Sequence, residues 1–433
     1  MKRTLLQALC VVALSFTACS LVPIEQEPPA GEDARSSLAR ITTAAPPAHV
    51  ADTVRGLNDF TFSLHRRIAK PTENFASAPV SVTTALAMTS AGAVGTTLDG
   101  FNQALRVQLP KADFHGALNT IDRELASRGQ GAQGFNGKPF ALKLTNQLFA
   151  QTGYSLEQPF LDLLALQYGA GVKLLDFEKQ PDVSRRAIND FIDFHTSNLI
   201  PELLPGDAIT SDTRLVLANA VYFNAAWAQK FDTNLTRPAP FRLITGTTVQ
   251  TPTMSISEVA ARTAQVGGVE VVELPYEKNE VSMLVLMPAQ GQLGALEQTL
   301  SAATLQSFVA ALQPEELQLS MPKFEVKTPT NLNEALEAEG LEVAYDGSRA
   351  DFSGLSSRAK ADGLHITDVL HEAVIKVSEG GTEAAGATAV VVGGRETAAP
   401  AARPLALDRP FVFVLRDRAT GVVLFLGHVV DPR

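Results

Sequence analysis

At 433 residues, 45% hydrophobic and 19% charged, the chain carries ample apolar material for a large core, as one extended mixed fold or two to three smaller domains. Its formal net charge of −10, without clustered Lys and Arg, excludes nucleic acid as a partner, because phosphate binding needs such clusters to release counterions. No G-x-S-x-G, Walker A or H-E-x-x-H pattern is present, so no enzymatic chemistry is indicated.

Lys2 and Arg3 give a positive start, residues 4–18 are almost wholly apolar, and Phe16-Thr17-Ala18-Cys19 closes the stretch. The apolar stretch is shorter than the ~20 residues of a membrane-spanning helix, so residues 1–18 read as a removable export signal. Small residues before a cysteine resemble the lipobox of bacterial lipoproteins, although Phe16 stands where that pattern prefers Leu. The resemblance makes Cys19 the expected lipidation site and the bacterial envelope the expected location, with plain secretion as the alternative. The only other cysteine, Cys10, is lost with the signal, leaving a mature body without disulfides or paired-cysteine metal sites. The seven histidines are scattered, and His371-Glu372 lacks the second His of a zinc motif. Neither a metal nor a cofactor is expected. Residues 19–50, rich in Pro, Ala and Glu and without apolar period, read as a flexible tether with a reach of roughly 30 Å.

From about Ala51 the chain is regularly patterned. Leu57, Phe60, Leu64 and Ile68 recur at helical spacing, as do Phe160, Leu163, Leu164 and Gln167 before a stop at Gly169. Ile188, Phe191 and Ile192 share one face of a further helix over 187–195. Between these, Gly129-Gln130-Gly131-Ala132-Gln133-Gly134 formally matches G-x-G-x-x-G, but it has no strand before it and no helix after it, so it reads as a loop. The second half is rich in strands. Residues 215–223, 269–274 and 281–287 are apolar and largely β-branched, the last two joined by a polar turn at Glu277-Lys278-Asn279. Residues 411–415 and 422–430 form a similar pair. Continuous apolar runs fit strands covered on both faces, which gives an α+β body with large, mostly antiparallel sheets.

One segment invites a functional reading on its own chemistry: Ser378-Glu379-Gly380-Gly381-Thr382-Glu383-Ala384-Ala385-Gly386-Ala387-Thr388-Ala389-Val390. As a strand it would put Thr382, Ala384, Gly386 and Thr388 on one face and Glu383, Ala385 and Ala387 on the other. The first set is small enough to slide between existing strands, where it gains main-chain hydrogen bonds along its length. A flexible exposed linker is the alternative; the β-branched run Val390-Val391-Val392 favours insertion.

From about Asn58 onward, motifs in order and register resemble the serpin family. They are Asn74-Phe75-Ala76-Ser77-Ala78-Pro79-Val80-Ser81, the run over 215–223 with Trp227 and Phe231, Leu274-Pro275-Tyr276, Met321-Pro322-Lys323-Phe324, and Asp408-Arg409-Pro410-Phe411-Val412-Phe413. The resemblance implies a single domain over residues 51–433, with about nine helices around three mostly antiparallel sheets and an exposed reactive-centre loop over about 379–403. It makes Glu379 to Thr388 the loop hinge. The attacked bond, about sixteen residues beyond Glu379, falls at Arg395-Glu396. An arginine there suits a trypsin-like protease whose specificity pocket is floored by a carboxylate. Arg403 competes but is followed by Pro404, and Glu396 replaces the small residue usual in the family.

The implied activity is suicide inhibition. The protease serine acylates Arg395, the freed loop enters the main sheet, and the displaced enzyme loses its catalytic geometry, since a misplacement of about 1 Å can cost 10²-fold in rate. The resemblance also makes Ser81, Asn219, Trp227 and His371 the sheet-opening cluster, with Ala78 where the family commonly has Ser. Phe101 to Arg128 lacks the basic cluster of heparin-responsive members. The expected partner is a trypsin-like serine protease in covalent complex with a monomer, with no nucleic acid and no membrane contact beyond the lipid. The alternatives are a non-inhibitory binding or storage serpin and a cross-class inhibitor of cysteine proteases.

Overall fold

The computed structural model describes residues 27–382 and 402–433. Residues 1–26, with Cys19, and 383–401, with Glu383, Ala384, Ala385, Gly386, Ala387, Thr388, Arg395 and Glu396, lie outside the described residues.

Strands form two hydrogen-bonded networks. The main sheet runs β1 (Glu32–Ala34), β4 (Val172–Leu175), β3 (Ala141–Gln151), β5 (Leu215–Ala226), β13 (Gly381–Thr382), β12 (Asp368–Ser378) and β11 (Phe324–Asn331). The second runs β14 (Arg403–Ala406), β10 (Gln313–Pro322), β7 (Thr248–Val266), β8 (Val269–Pro275), β9 (Val281–Met287), β15 (Phe411–Asp417), β16 (Val423–Val429) and β2 (Phe75–Ser77), with β6 (Arg237–Arg242) also on β7. The 19-residue β7 joins the second and third sheets of the expected three: its first part pairs with β6 and β10, its last five residues with β8. Most ladders are antiparallel; β3 with β4, β5 with β12 and β10 with β14 are parallel.

The helices are α1 (Pro47–Ile68), α2 (Pro79–Ser90), α3 (Gly95–Ala104), α4 (Lys111–Ala126), α5 (Gln158–Tyr168), α6 (Pro181–His195), α7 (Leu293–Thr299) and α8 (Ala302–Ala311), with single turns at Asn333–Leu336 and Glu342–Tyr345. Proline in the first turn starts α1, α2, α5 and α6, where its missing N–H costs nothing. Gly169, at φ 63°, closes α5 as its sequence position predicts. The glycine-rich stretch 129–134 is a loop between α4 and a short turn at Phe135–Gly137.

Strand β5 shows why an unbroken apolar run is needed. All twelve of its residues are buried, and alternation divides them between two cores. Leu215, Leu217, Val221, Phe223 and Ala225 face the main core with α2, while Val216, Ala218 and Ala220 pack with Ile188, Phe191 and Ile192 of α6. Helix α2 is buried along its whole length, as its small and apolar residues all round require.

The tether over residues 19–50 is corrected by the structure. From residue 27 onward it is docked on the body. β1 pairs with the edge strand β4, and Ala30 is buried against Phe149 and Phe177. Arg40 donates to Asn119 (2.8 Å), Asp122 (2.7 Å) and the Gln167 carbonyl (3.2 Å), and Ile41 N–H donates to the Leu166 carbonyl. Helix α1 then begins at Pro47. An extended strap fastened by its backbone needs no apolar period, so composition reads it as coil.

Candidate functional site

The main sheet is incompletely closed between β5 and β12. These strands pair directly only where Asp368–His371 lies beside Val216–Asn219. At the other end the chain turns through Glu379 and Gly380, and β13 enters between them. Thr382 pairs with Val377 on one side and Ala225 on the other; Gly381 pairs with Ser378 and Ala226. Between the two contacts, 220–224 of β5 and 372–376 of β12 are not paired with each other, among the described residues. A small cavity there is lined by Phe223, Val374, Lys376, Thr382 and Phe425.

The residues of the turn are dictated by space. Gly381 has φ 148°, and a Cβ on it would meet the Ala225 carbonyl oxygen at 2.1 Å; one on Gly380 would meet the Phe135 ring at 2.4 Å. Thr382 is buried and its hydroxyl lies 2.6 Å from the Tyr276 hydroxyl. Tyr276 stacks on Trp227 with centroids 4.5 Å apart. Trp227 donates from its ring to the Ser378 carbonyl (2.9 Å) and from its backbone to the Gly380 carbonyl (3.1 Å), so the tryptophan grips both sides of the turn. Glu379 is 7% exposed; it accepts from Thr236 Oγ1 (2.7 Å) and pairs with Lys323 Nζ (2.9 Å). Burial opposes its charge, but these hydrogen bonds prevail and hold the carboxyl below the ordinary range.

At the closed end His371 joins three elements. Its Nδ1–H donates to Asn219 Oδ1 (2.8 Å), and its Nε2 accepts the Ala78 N–H (3.0 Å) ahead of α2. Since a backbone N–H only donates, the ring is the neutral tautomer, and burial lowers its pKa to about 4. Ser81 donates instead to Asn146 Oδ1 (3.0 Å) on β3, whose residue is the register partner of Asn219. Asn219 Nδ2 is buried without a hydrogen-bond partner.

The four expected sheet-opening residues therefore divide. Asn219 and His371 meet, Ser81 stands one strand away, and Trp227 belongs to the opposite end of the gap, which corrects its grouping with the other three. Of the expected hinge residues, Glu379, Gly380, Gly381 and Thr382 form the turn into β13; the remaining ones and the expected reactive bond lie outside the described residues. Tyr276 and Lys323 carry hinge contacts that sequence reasoning did not assign, though both stand in the motifs that signalled the family; Asn146 had no such signal.

At the end of the expected loop, Arg403 lies in β14 with its guanidinium paired to two carboxylates. Its Nε and Nη2 donate to the two oxygens of Glu315 (2.8 and 2.9 Å), and Nη2 also donates to Glu270 (2.9 Å). A side chain so clasped is not available to a protease pocket.

The family model for serpins (serine protease inhibitor) matches residues 55–432. The chain is 32% identical over 383 residues to an uncharacterized serpin-like protein of Thermococcus kodakarensis, covering 88% of this chain and 86% of that protein. It is 30% identical over 389 residues to the leukocyte elastase inhibitor of Xenopus tropicalis, covering 86% and 97%. A crystal structure of human thyroxine-binding globulin superposes with a TM-score of 0.77 at 27% identity, covering 89% of this chain and 99% of that one. Members of this family are mostly protease inhibitors rather than catalysts. Its sheets, its hinge and these likenesses make the chain a member of the serpin family.

Proposed function

We propose that this protein is an irreversible suicide inhibitor of trypsin-like serine proteases, cleaved at Arg395-Glu396, exported from a bacterial cell and anchored through a lipid on Cys19. The observation that carries the reading is β13: the loop enters the main sheet at Thr382 with an unpaired gap ahead of it. Continued in the same antiparallel register, Glu383 would face Asn224 and Thr388 would face Asn219, so the hinge is long enough to fill the gap down to the His371 contact. Each inserted residue would pair on two sides. The engagement of Arg403 by Glu315 and Glu270 supports Arg395 as the residue offered to the protease.

Incubation with trypsin and a denaturing gel test this. The expected product is a covalent band of summed mass, with new N-termini beginning at Glu396. Cleavage without that band would sink the inhibitory reading and leave a binding or storage role. Thr382→Arg sharpens the test, because an unpaired guanidinium would be driven out of the buried site beside Tyr276 in the intact protein and would have to re-enter it on insertion. A cost of only ~1.4 kcal/mol on insertion shifts the race with hydrolysis about tenfold, so this variant is expected to be cleaved as a substrate. Undiminished trapping by the variant would refute insertion at this position.

A further inference from the structure

Far apart in sequence, α1, α7 and β16 bring three polar side chains together in the core: His65, Glu297 and His428, with relative exposures of 1%, 7% and 0%. His65 Nε2 and His428 Nδ1 lie 2.9 and 2.6 Å from the same oxygen, Glu297 Oε1. The other nitrogen of His428, Nε2, is 2.7 Å from the Glu73 carbonyl oxygen. A carbonyl only accepts, so Nε2 must carry a hydrogen, and in the neutral ring Nδ1 is then a lone pair aimed at a carboxylate oxygen. Two such electron pairs 2.6 Å apart require a cation between them. Anchoring one imidazole nitrogen to a backbone carbonyl is also how metal-binding histidines are oriented. Nδ1 of His65 has no hydrogen-bond partner, so nothing fixes that ring's proton on Nε2. The Phe75 ring packs on both imidazoles, at 5.5 Å from His65 and 6.2 Å from His428.

We infer that His65 Nε2, His428 Nδ1 and the Glu297 carboxylate form a binding site for a single divalent ion of the zinc class. Two imidazoles and a carboxylate are borderline-soft donors that suit zinc and its neighbours rather than calcium or magnesium, and a water as fourth ligand would complete a tetrahedron around the ion. The three ligand atoms lie within 4.8 Å of one another. A tetrahedral ion with bonds of about 2.0–2.2 Å sets its ligands roughly 3.3 Å apart, so side-chain rotations of less than an ångström admit it. The ion replaces the proton that otherwise bridges His428 and Glu297, and that proton leaves to solvent. So loaded, the site clamps the first helix of the body to its last strand, remote in sequence from the hinge. Histidines scattered along the sequence gave no sign of a metal; the fold gathers two of them on one carboxylate oxygen.

The test uses the mature chain stripped with a chelator, then loaded with Zn²⁺ or Co²⁺ and dialysed. A single tightly held ion by mass spectrometry, a visible Co²⁺ spectrum of tetrahedral type abolished by Zn²⁺, and a melting temperature raised by the metal are expected. His428→Lys keeps a cation beside Glu297, preserving the charge balance of the fold, and His65→Gln keeps a neutral hydrogen-bonding side chain; each is expected to lose the stoichiometric ion and the spectrum. Failure of the wild-type chain to hold an ion after dialysis overturns the proposal, as does retention of the same ion and spectrum by both variants. If one variant does not fold, the other decides.

Discussion

A single histidine links the closed end of the sheet to the medium. Held down at about 4 by burial against an ordinary value of 6.5, His371 binds fewer protons folded than unfolded between those two values. Its contribution to stability is therefore complete above pH 6.5 and is lost as pH falls toward 4, by roughly 3 kcal/mol in all. His115, lowered to about 3 by burial with Lys111 adding to the effect, acts in the same direction. The contribution of His371 is isolated by comparison with His371→Asn, which carries no titrating ring: melting temperatures measured from about pH 7.5 to 4.5 are expected to fall more steeply for the wild type. Equal slopes would show that His371 takes up its proton on Nε2 without losing the contact to the Ala78 N–H. At this scale the sequence was partly legible. The small residues of the hinge announce themselves, because Gly380 and Gly381 stand where no side chain fits. Their partners do not, since Tyr276 meets Thr382 across 106 positions and no local pattern encodes such a pairing.

Among the elements, regular strands were the most legible and the strap the least. An apolar run covered on both faces identifies β5 directly, and the turn at residues 277–279 joins β8 and β9 where a polar break predicts it. β1 has only three residues and takes its structure from β4, so nothing local to it reads as a strand. Removing residues 27–46 is expected to uncover β4 as a free edge and to strip Asn119 and Asp122 of Arg40. The truncated protein should melt several degrees lower, as a loss of about 1–2 kcal/mol implies, and should self-associate more readily through the bared edge. Unchanged melting and a monomeric profile on gel filtration would return the strap to the status of a tether.

For the molecule as a whole, one gap in one sheet is the feature on which the proposed mechanism turns. Residues 20–433 contain no cysteine, so no disulfide holds the body in its intact form. Cutting at Arg395-Glu396 should let the hinge fill the gap and add paired backbone on both sides. The cleaved form is expected to melt more than about 10 °C above the intact one by calorimetry, as a gain of several kcal/mol requires. Identical melting of both forms would mean that the gap does not accept the loop. The resting position of β13 has a kinetic corollary. Seating a free segment in a sheet is hardest for its first residues, which lose chain entropy before neighbouring bonds reward them. Here Gly381 and Thr382 are already seated in the intact protein, so that first step would precede any cleavage. On the proposed mechanism a cut would then only have to release a zipping motion, paced by how quickly His371 and Asn219 let go.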